Sequence, residues 1–105
     1  METVNRHYTV IISDEATQML VFHTRFLAQV SEKAALDLIA ELGEKAKSLE
    51  EFPDRNPWFS DPSIPAGKYR KLLIGKRYLL IYQVKGNTVY VDYVVDCRQD
   101  YVWLL

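Results

Sequence analysis

All four prolines of this chain fall between residues 53 and 67, in a stretch that ends with Gly67. Proline lacks a backbone N–H and fixes φ, so neither a helix nor a central strand tolerates that density. The stretch therefore predicts an ordered loop. It separates a first part with helical periodicity from a second part with strand periodicity.

The first part predicts one strand and two helices. The β-branched run His7–Ile12 is typical of a strand. Ser13, followed by two acidic residues, is typical of a helix N-cap, and Ser31 can cap a second helix. A stripe of residues, apolar apart from His23, then recurs at spacings of three and four along both helices. It comprises Ala16, Leu20, His23, Leu27 and Val30 in the first, and Ala35, Leu38, Leu42, Ala46 and Leu49 in the second. The very short link predicts an antiparallel helical hairpin.

The second part predicts three strands, Lys68–Ile74, Arg77–Lys85 and Thr88–Cys97. Gly75-Lys76 and Gly86-Asn87 separate them, and both pairs suit two-residue hairpin turns. The expected fold is α+β with the order β-α-α-β-β-β. In it, a helical hairpin packs on one face of an antiparallel four-stranded sheet, and the second strand runs antiparallel to the first.

Length and composition limit the class of protein. With 105 residues the chain is expected to form a single domain over residues 1–105. Hydrophobic residues at 49% and charged residues at 26% are typical of a globular protein. The single cysteine, Cys97, favours a reducing compartment. The first residues lack a signal-peptide pattern and no run is long enough to span a membrane, so we expect a cytoplasmic protein.

The charges are unevenly distributed along the chain. The net charge is −1. From residue 68 onward, seven basic residues face three acidic ones, which gives +4 and leaves −5 for residues 1–67. A basic half beside an acidic half favours a surface that meets a polyanion or an acidic partner.

Counting back from two-residue turns assigns side chains to the two sheet faces. Ile74 is then opposite Arg77, and Arg77 is opposite Asp96. The face away from the helices collects basic side chains and five aliphatic ones: Leu72, Ile74, Leu79, Ile81 and Val94. Such a face predicts a binding site for a partner protein, or else a surface covered by the loop of residues 53–67. The two interpretations are compatible.

Several short motifs, in order, resemble the RelE/ParE superfamily over essentially the whole chain. They are Ser-Asp-Glu-Ala at 13–16, Leu-Glu-Glu-Phe-Pro at 49–53, Lys-Tyr-Arg-Lys-Leu at 68–72, Tyr-Leu-Leu-Ile-Tyr-Gln-Val at 78–84 and Val-Val-Asp-Cys-Arg-Gln-Asp-Tyr at 94–101. The resemblance implies a toxin of a type II toxin–antitoxin system, of the plasmid-stabilisation kind, held inactive by a cognate antitoxin.

The resemblance leaves the target open. RelE-like members are endoribonucleases that cut messenger RNA on the ribosome, and this activity is our first expectation. ParE-like members inhibit DNA gyrase without being enzymes, and a lapsed toxin would act only as a protein-interaction module. For the ribonuclease, Arg70, Arg77 and Arg98 would hold the phosphate and Tyr101 would serve as acid or base. Lys68, Lys71 and Tyr90 would bind RNA, and the five aliphatic residues would bind the antitoxin.

Two features favour the alternatives to a ribonuclease. Leu79 occupies a slot that often holds arginine in the ribonucleases. The derived register sets Asp96 against Arg77 and Asp92 near Arg70, where carboxylates would occupy the arginine donors. No zinc-ligand spacing and no nucleotide-binding motif is present, so we expect neither a metal nor a cofactor.

Overall fold

The computed structural model describes residues 7–62 and 64–97, and it confirms the α+β class and the order of elements. The elements are β1 (Thr9–Ile12), α1 (Asp14–Val30), α2 (Glu32–Ser48), a short 3₁₀ turn (Pro53–Arg55), β2 (Arg70–Ile74), β3 (Tyr78–Lys85) and β4 (Thr88–Asp96).

Two serines fix the ends of the helices, as their positions in the sequence predict. Ser13 Oγ accepts a hydrogen bond from Ala16 N at 3.0 Å. Ser31 both ends α1 and begins α2: its N–H donates to Leu27 O at 2.7 Å, and its Oγ accepts from Ala34 N at 3.1 Å. Each cap satisfies backbone groups that a helix end otherwise leaves unpaired.

The sheet is mixed, with the order β1-β4-β3-β2. β1 pairs in parallel with β4, whereas β2, β3 and β4 form an antiparallel meander. The expectation of a wholly antiparallel sheet, with β2 running against β1, is wrong. β1 and β2 lie at opposite edges and run in the same direction, because the meander brings β4 back beside β1.

The second hairpin follows the predicted register and the first does not. Lys85 pairs with Thr88 across the two-residue turn Gly86-Asn87. In the first hairpin Ile74 pairs with Tyr78, so the turn holds three residues, 75–77. A slip of one residue moves every β2 side chain to the other face relative to β3.

A bulge changes the register again within β4. Tyr82 pairs with Val91 and Ile81 pairs with Tyr93, so Asp92 is an extra residue on its strand. Beyond the bulge, Val94 lies on the face covered by the helices, and Val95 lies on the opposite face.

The main core lies between the helices and one face of the sheet, which we call the helix face. Its fully buried members include Ala16, Leu49, Leu80, Tyr82 and Val91. His23 of α1 is also buried, and its Nε2 lies 2.9 Å from Val94 O, so it is a hydrogen-bonded histidine within the core.

The other face of the sheet, the far face, has a smaller core made by the loop. Phe59 and Tyr69 pack there against Ile81 and Val95. The loop also lies along the outer edge of β2, where Phe59 N donates to Tyr69 O at 2.8 Å and Lys71 N donates to Pro57 O at 3.0 Å. The predicted coverage of this face by the loop is therefore confirmed for part of it.

Neither of the two α-helices in the described part of the chain combines the length and the apolar character that crossing a bilayer requires.

Candidate functional site

Arg70, at the start of β2, is engaged by the proline-containing loop. Its guanidinium carbon lies 3.7 Å from the centroid of the Trp58 ring. Its Nη1 donates to Asn56 O at 2.7 Å, and its Nε lies 3.7 Å from Asp54 Oδ1. The side chain is only 17% exposed. The arrangement uses Arg70 to hold the loop against the sheet edge.

Arg77 lies in the turn between β2 and β3 and is engaged in a different way. Its Nε and Nη2 donate to Tyr78 Oη at 3.2 and 2.9 Å, and Nε lies 3.7 Å from Asp96 Oδ2. The expected pairing of Arg77 with Asp96 is confirmed as an ion pair. The expected cross-strand position is wrong, since Tyr78 is the residue opposite Asp96.

Arg70 and Arg77, the two predicted catalytic arginines within the described residues, do not converge on one point. Arg70 begins β2 and Arg77 follows the turn after Ile74, so they lie at opposite ends of a five-residue strand. Four steps along a strand amount to about 13 Å. A single phosphate needs its donors within about 3 Å. Arg98 and Tyr101, the other two predicted catalytic residues, lie outside the described residues.

The predicted RNA-binding residues are spread over the far face and its margin. Lys68 is exposed, and its Nζ lies 5.2 Å from the centroid of the Tyr69 ring. Lys71 is half-buried and sits in the same cross-strand row as Ile81. Tyr90 lies two rows away beside Gln83, with Lys85 Nζ 5.9 Å from its ring centroid. These residues do not form a compact cluster.

The five aliphatic residues expected together on the far face do not share it. Leu72, Ile74 and Val94 pack in the helix-face core, and Ile74 and Val94 are essentially inaccessible. Ile81 is on the far face but is fully buried beneath Phe59 and Tyr69, and half-buried Leu79 packs beside it. Their expected placement on one open surface is wrong because of the three-residue turn and the bulge at Asp92. In β2 the slip exposes Leu73 instead.

A polar cluster at the bulge was not predicted from the sequence. Gln83 Nε2 donates to Asp92 Oδ2 at 2.7 Å, and the rings of Tyr69 and Tyr93 meet edge to face with centroids 6.1 Å apart. Asp92 was expected to occupy the donors of Arg70, but its carboxylate accepts from Gln83, whereas Arg70 donates to the loop. The sequence signal is the single carboxylate that interrupts the apolar run of β4.

The tyrosines of this cluster are held in their neutral form. Burial, followed by the nearby charge of Asp92, raises the pKa of Tyr69 to about 12. Burial also raises the pKa of Tyr93, with the carboxylate of Glu15 contributing next. A phenol that resists ionisation can donate a hydrogen bond but is a poor general base near neutral pH.

Several large apolar side chains on the two helices are exposed. On α1 they are Phe22, Phe26 and Val30, which are 64%, 52% and 81% exposed, and on α2 they are Leu36 and Ile39 at 60% and 49%. Phe22, Phe26 and Val30 are spaced by four, so they follow one side of α1. Neighbouring exposed apolar side chains of this kind are typical of a surface that binds another protein.

Within residues 7–62 and 64–97, no three His, Cys, Asp or Glu side chains are placed to hold a metal ion. The described part of the site therefore consists of two separated arginines, a tyrosine cluster and exposed apolar residues.

Comparisons with known proteins identify the family. No curated protein matches the sequence. A solved structure described as "Chromosomal ParDE TA system from P. aeruginosa" shares the fold, with a TM-score of 0.68 at 13% sequence identity, covering 87% of this chain and 97% of that chain. The family model for the ParE toxin of the type II toxin–antitoxin system, parDE, matches residues 10–101. The chain belongs to the ParE family of toxins of type II toxin–antitoxin systems.

Proposed function

We propose that this protein poisons cells by binding DNA gyrase without cutting a substrate, and that a cognate antitoxin neutralises it in the cytoplasm. Membership of the ParE family supports a protein target over messenger RNA on the ribosome. The observation that carries the proposal is the use of Arg70 and Arg77 within the fold, at opposite ends of β2.

RNA cleavage through the 2′-OH makes demands that the described residues do not meet. The growing charge on the phosphorane needs cationic donors already aimed at one position. Arg70 donates to the loop and stacks on Trp58, while Arg77 donates to Tyr78 and pairs with Asp96. Redirecting either arginine to a phosphate would cost the contacts that it makes within the fold.

A gyrase inhibitor needs only an accessible surface that complements its target. On the far face, Lys71 beside the loop and Tyr90 are half-exposed, and Leu73 is 49% exposed. Tyrosine is enriched at protein-binding surfaces, and lysine at the polar rim of such a surface attracts an acidic partner. In this proposal Lys71 and Tyr90 contact the protein target instead of RNA.

Expressing the chain alone tests the proposal by following DNA and RNA separately. We expect growth arrest, gyrase-dependent DNA breaks and intact transcripts, and co-expression of the antitoxin should prevent all effects. With purified gyrase, the protein should inhibit supercoiling. Transcript cleavage that is lost in Arg98→Ala or Tyr101→Phe would instead establish a RelE-like ribonuclease.

Matched arginine variants separate structural from catalytic roles. Arg70→Ala and Arg77→Ala should lower the free energy of unfolding yet leave gyrase inhibition per folded molecule close to the parent value. Arg55→Ala, which removes an exposed guanidinium stacked on Phe52 at 4.5 Å, is the control for general charge loss. Complete loss of inhibition in well-folded Arg70→Ala would contradict the assignment of that arginine to the fold.

A further inference from the structure

The arginines and the lysines in and beside the antiparallel meander are used differently. Arg70 and Arg77 both form ion pairs within the fold. The four lysines between residues 68 and 85 form no ion pair with any residue that the structure describes: Lys68, Lys71, Lys76 and Lys85. Their charges are therefore free to attract a partner.

Two of these lysines lie over tyrosine rings of the far face. Lys68 Nζ lies 5.2 Å from the centroid of the Tyr69 ring, and Lys85 Nζ lies 5.9 Å from the centroid of the Tyr90 ring. Both lysines are exposed. A ring face attracts an ammonium group, yet it leaves the N–H donors of that group able to bind a carboxylate.

The two tyrosines belong to one row of side chains that crosses all four strands. Ile11 pairs with Tyr90, and Tyr90 pairs with Gln83. Continuing the register of β2 and β3 by one residue beyond Arg70 places Tyr69 beside Gln83. We call this set the tyrosine row: Ile11, Tyr90, Gln83 and Tyr69.

The proline-containing loop covers one end of the tyrosine row and leaves the other end open. Tyr69, which clusters with Phe59 of the loop, is 8% exposed. At the other end Ile11 is 45% exposed and Tyr90 is half-exposed. The open end thus offers an aliphatic side chain and a phenol ring, with the ammonium group of Lys85 beside them.

The nearby carboxylates lie on the opposite side of the tyrosine row from Lys85. Lys85 is in line with Thr88, two residues before Tyr90. Asp92 follows Tyr90 by two residues, and its Oδ2 accepts from Gln83 Nε2 at 2.7 Å. The far face is therefore positive at its β3–β4 hairpin end, which is complementary to an acidic partner.

We infer that the gyrase surface that this protein recognises is acidic, and that Lys68, Lys85 and the open end of the tyrosine row receive it. The inference rests on the proposed function and names the chemistry of its target. The lysines attract the carboxylates of the target, and Ile11 and Tyr90 supply apolar contact once the two proteins have met.

The same surface fits a nucleic acid less well. Affinity for duplex DNA grows with the number of phosphates that a protein neutralises, and two lysines neutralise few. The exposed side chain of Ile11 also adds apolar area that a phosphate backbone does not use.

The association rate with purified gyrase tests the inference, measured on immobilised gyrase at 50 and 200 mM salt. For the parent chain the rate should fall several-fold between the two salt concentrations, because salt screens steering by exposed charges. Lys68→Gln with Lys85→Gln should associate roughly fivefold more slowly at 50 mM salt and lose most of the salt dependence.

Arg25→Gln with Lys47→Gln is the matched control, since it removes the same charge from exposed positions on α1 and α2. It should associate at the parent rate. Ile11→Ser should speed dissociation several-fold without slowing association, because an apolar contact acts after the encounter. Phe52→Ser, at a side chain 56% exposed elsewhere on the surface, should change neither rate. Circular dichroism establishes that each variant remains folded.

The inference is wrong if both double variants slow association equally, or if neither does while the parent chain binds gyrase. Salt-sensitive binding to a short DNA duplex that only Lys68→Gln with Lys85→Gln weakens, with gyrase binding unchanged, would assign these lysines to nucleic acid. A parent chain that binds no gyrase at either salt concentration refutes the proposed function itself. That outcome is distinct from the others, in which the parent still binds.

Discussion

The two faces of the sheet are both partly closed, but by different kinds of structure. On the helix face, Leu80, Tyr82, Val89 and Val91 are fully buried beneath two regular helices. On the far face, Ile81 and Val95 are equally inaccessible beneath the irregular loop. Leu73 on the same face is 49% exposed. The comparison shows that two regular helices close most of a face, whereas a loop closes only the part that its own contacts reach.

Replacing one leucine from each face should give the largest difference. Leu80→Ala removes a fully buried side chain and should lower the free energy of unfolding by about 2–5 kcal/mol. Leu73→Ala should change it by less than about 0.5 kcal/mol because the side chain already contacts water. Urea denaturation measures both. Equal losses of unfolding free energy in the two variants would show that Leu73 is packed as closely as Leu80.

Alkaline pH should weaken the far-face core through Tyr69. Its pKa is raised to about 12 in the folded protein, mainly by burial. An unfolded tyrosine titrates near 10. The neutral phenol thus contributes stability that is complete below about pH 10 and is lost as the pH rises toward 12, by on the order of 2 kcal/mol.

The measurement for Tyr69 is the free energy of unfolding as a function of pH. Tyr69→Phe cannot ionise, so it should lose less stability than the parent between pH 10 and 12. Burial also raises the pKa of Tyr82 and Tyr93, so part of the alkaline loss should remain in the variant. Identical profiles for variant and parent would contradict the burial of this phenol.

A smaller effect should follow from removing the hydrogen bonds that join the helix-face core to the proline-containing loop. Tyr82 lies in the helix-face core, yet its Oη donates to Pro53 O at 2.5 Å and accepts from Asn56 Nδ2 at 3.0 Å. Tyr82→Phe should cost about 1 kcal/mol. It should also speed hydrogen exchange at Lys71 N, which donates to Pro57 O.

Tyr90→Phe, on the open part of the far face, is the control for Tyr82→Phe. It should leave the exchange rate at Lys71 unchanged. If both variants behave alike, the loop is held by Arg70 and Trp58 without help from Tyr82.

Local signals in the sequence predicted the elements well. Ser13 and Ser31 are helix caps by residue type and position, and Gly86-Asn87 closes the two-residue turn that it predicts. In each case, side-chain chemistry and backbone freedom within a few residues decide the outcome. The proline-containing stretch likewise predicted the ordered loop.

The candidate site was predicted less well because it depends on register. Gly75-Lys76 suggested a two-residue turn, but Arg77 remains in the turn and bonds to Tyr78 Oη. Leu72 and Ile74 lie on one face of β2 and Leu73 on the other, yet all three are apolar. The hydrophobic pattern therefore does not by itself determine which side of β2 faces the helices. The bulge at Asp92 adds a second shift. The order β1-β4-β3-β2 also required long-range pairing that no local motif specifies.

Ser31 serves two helices at once, and this limits how the chain can change length. It is the single residue between α1 and α2, with its N–H used by one helix and its hydroxyl by the other. After the insertion of one residue, a single serine could no longer cap both helices, and one of the two helix ends would lose its hydrogen bond. Related sequences should therefore conserve the spacing here and accept insertions in the loop between residues 60 and 67.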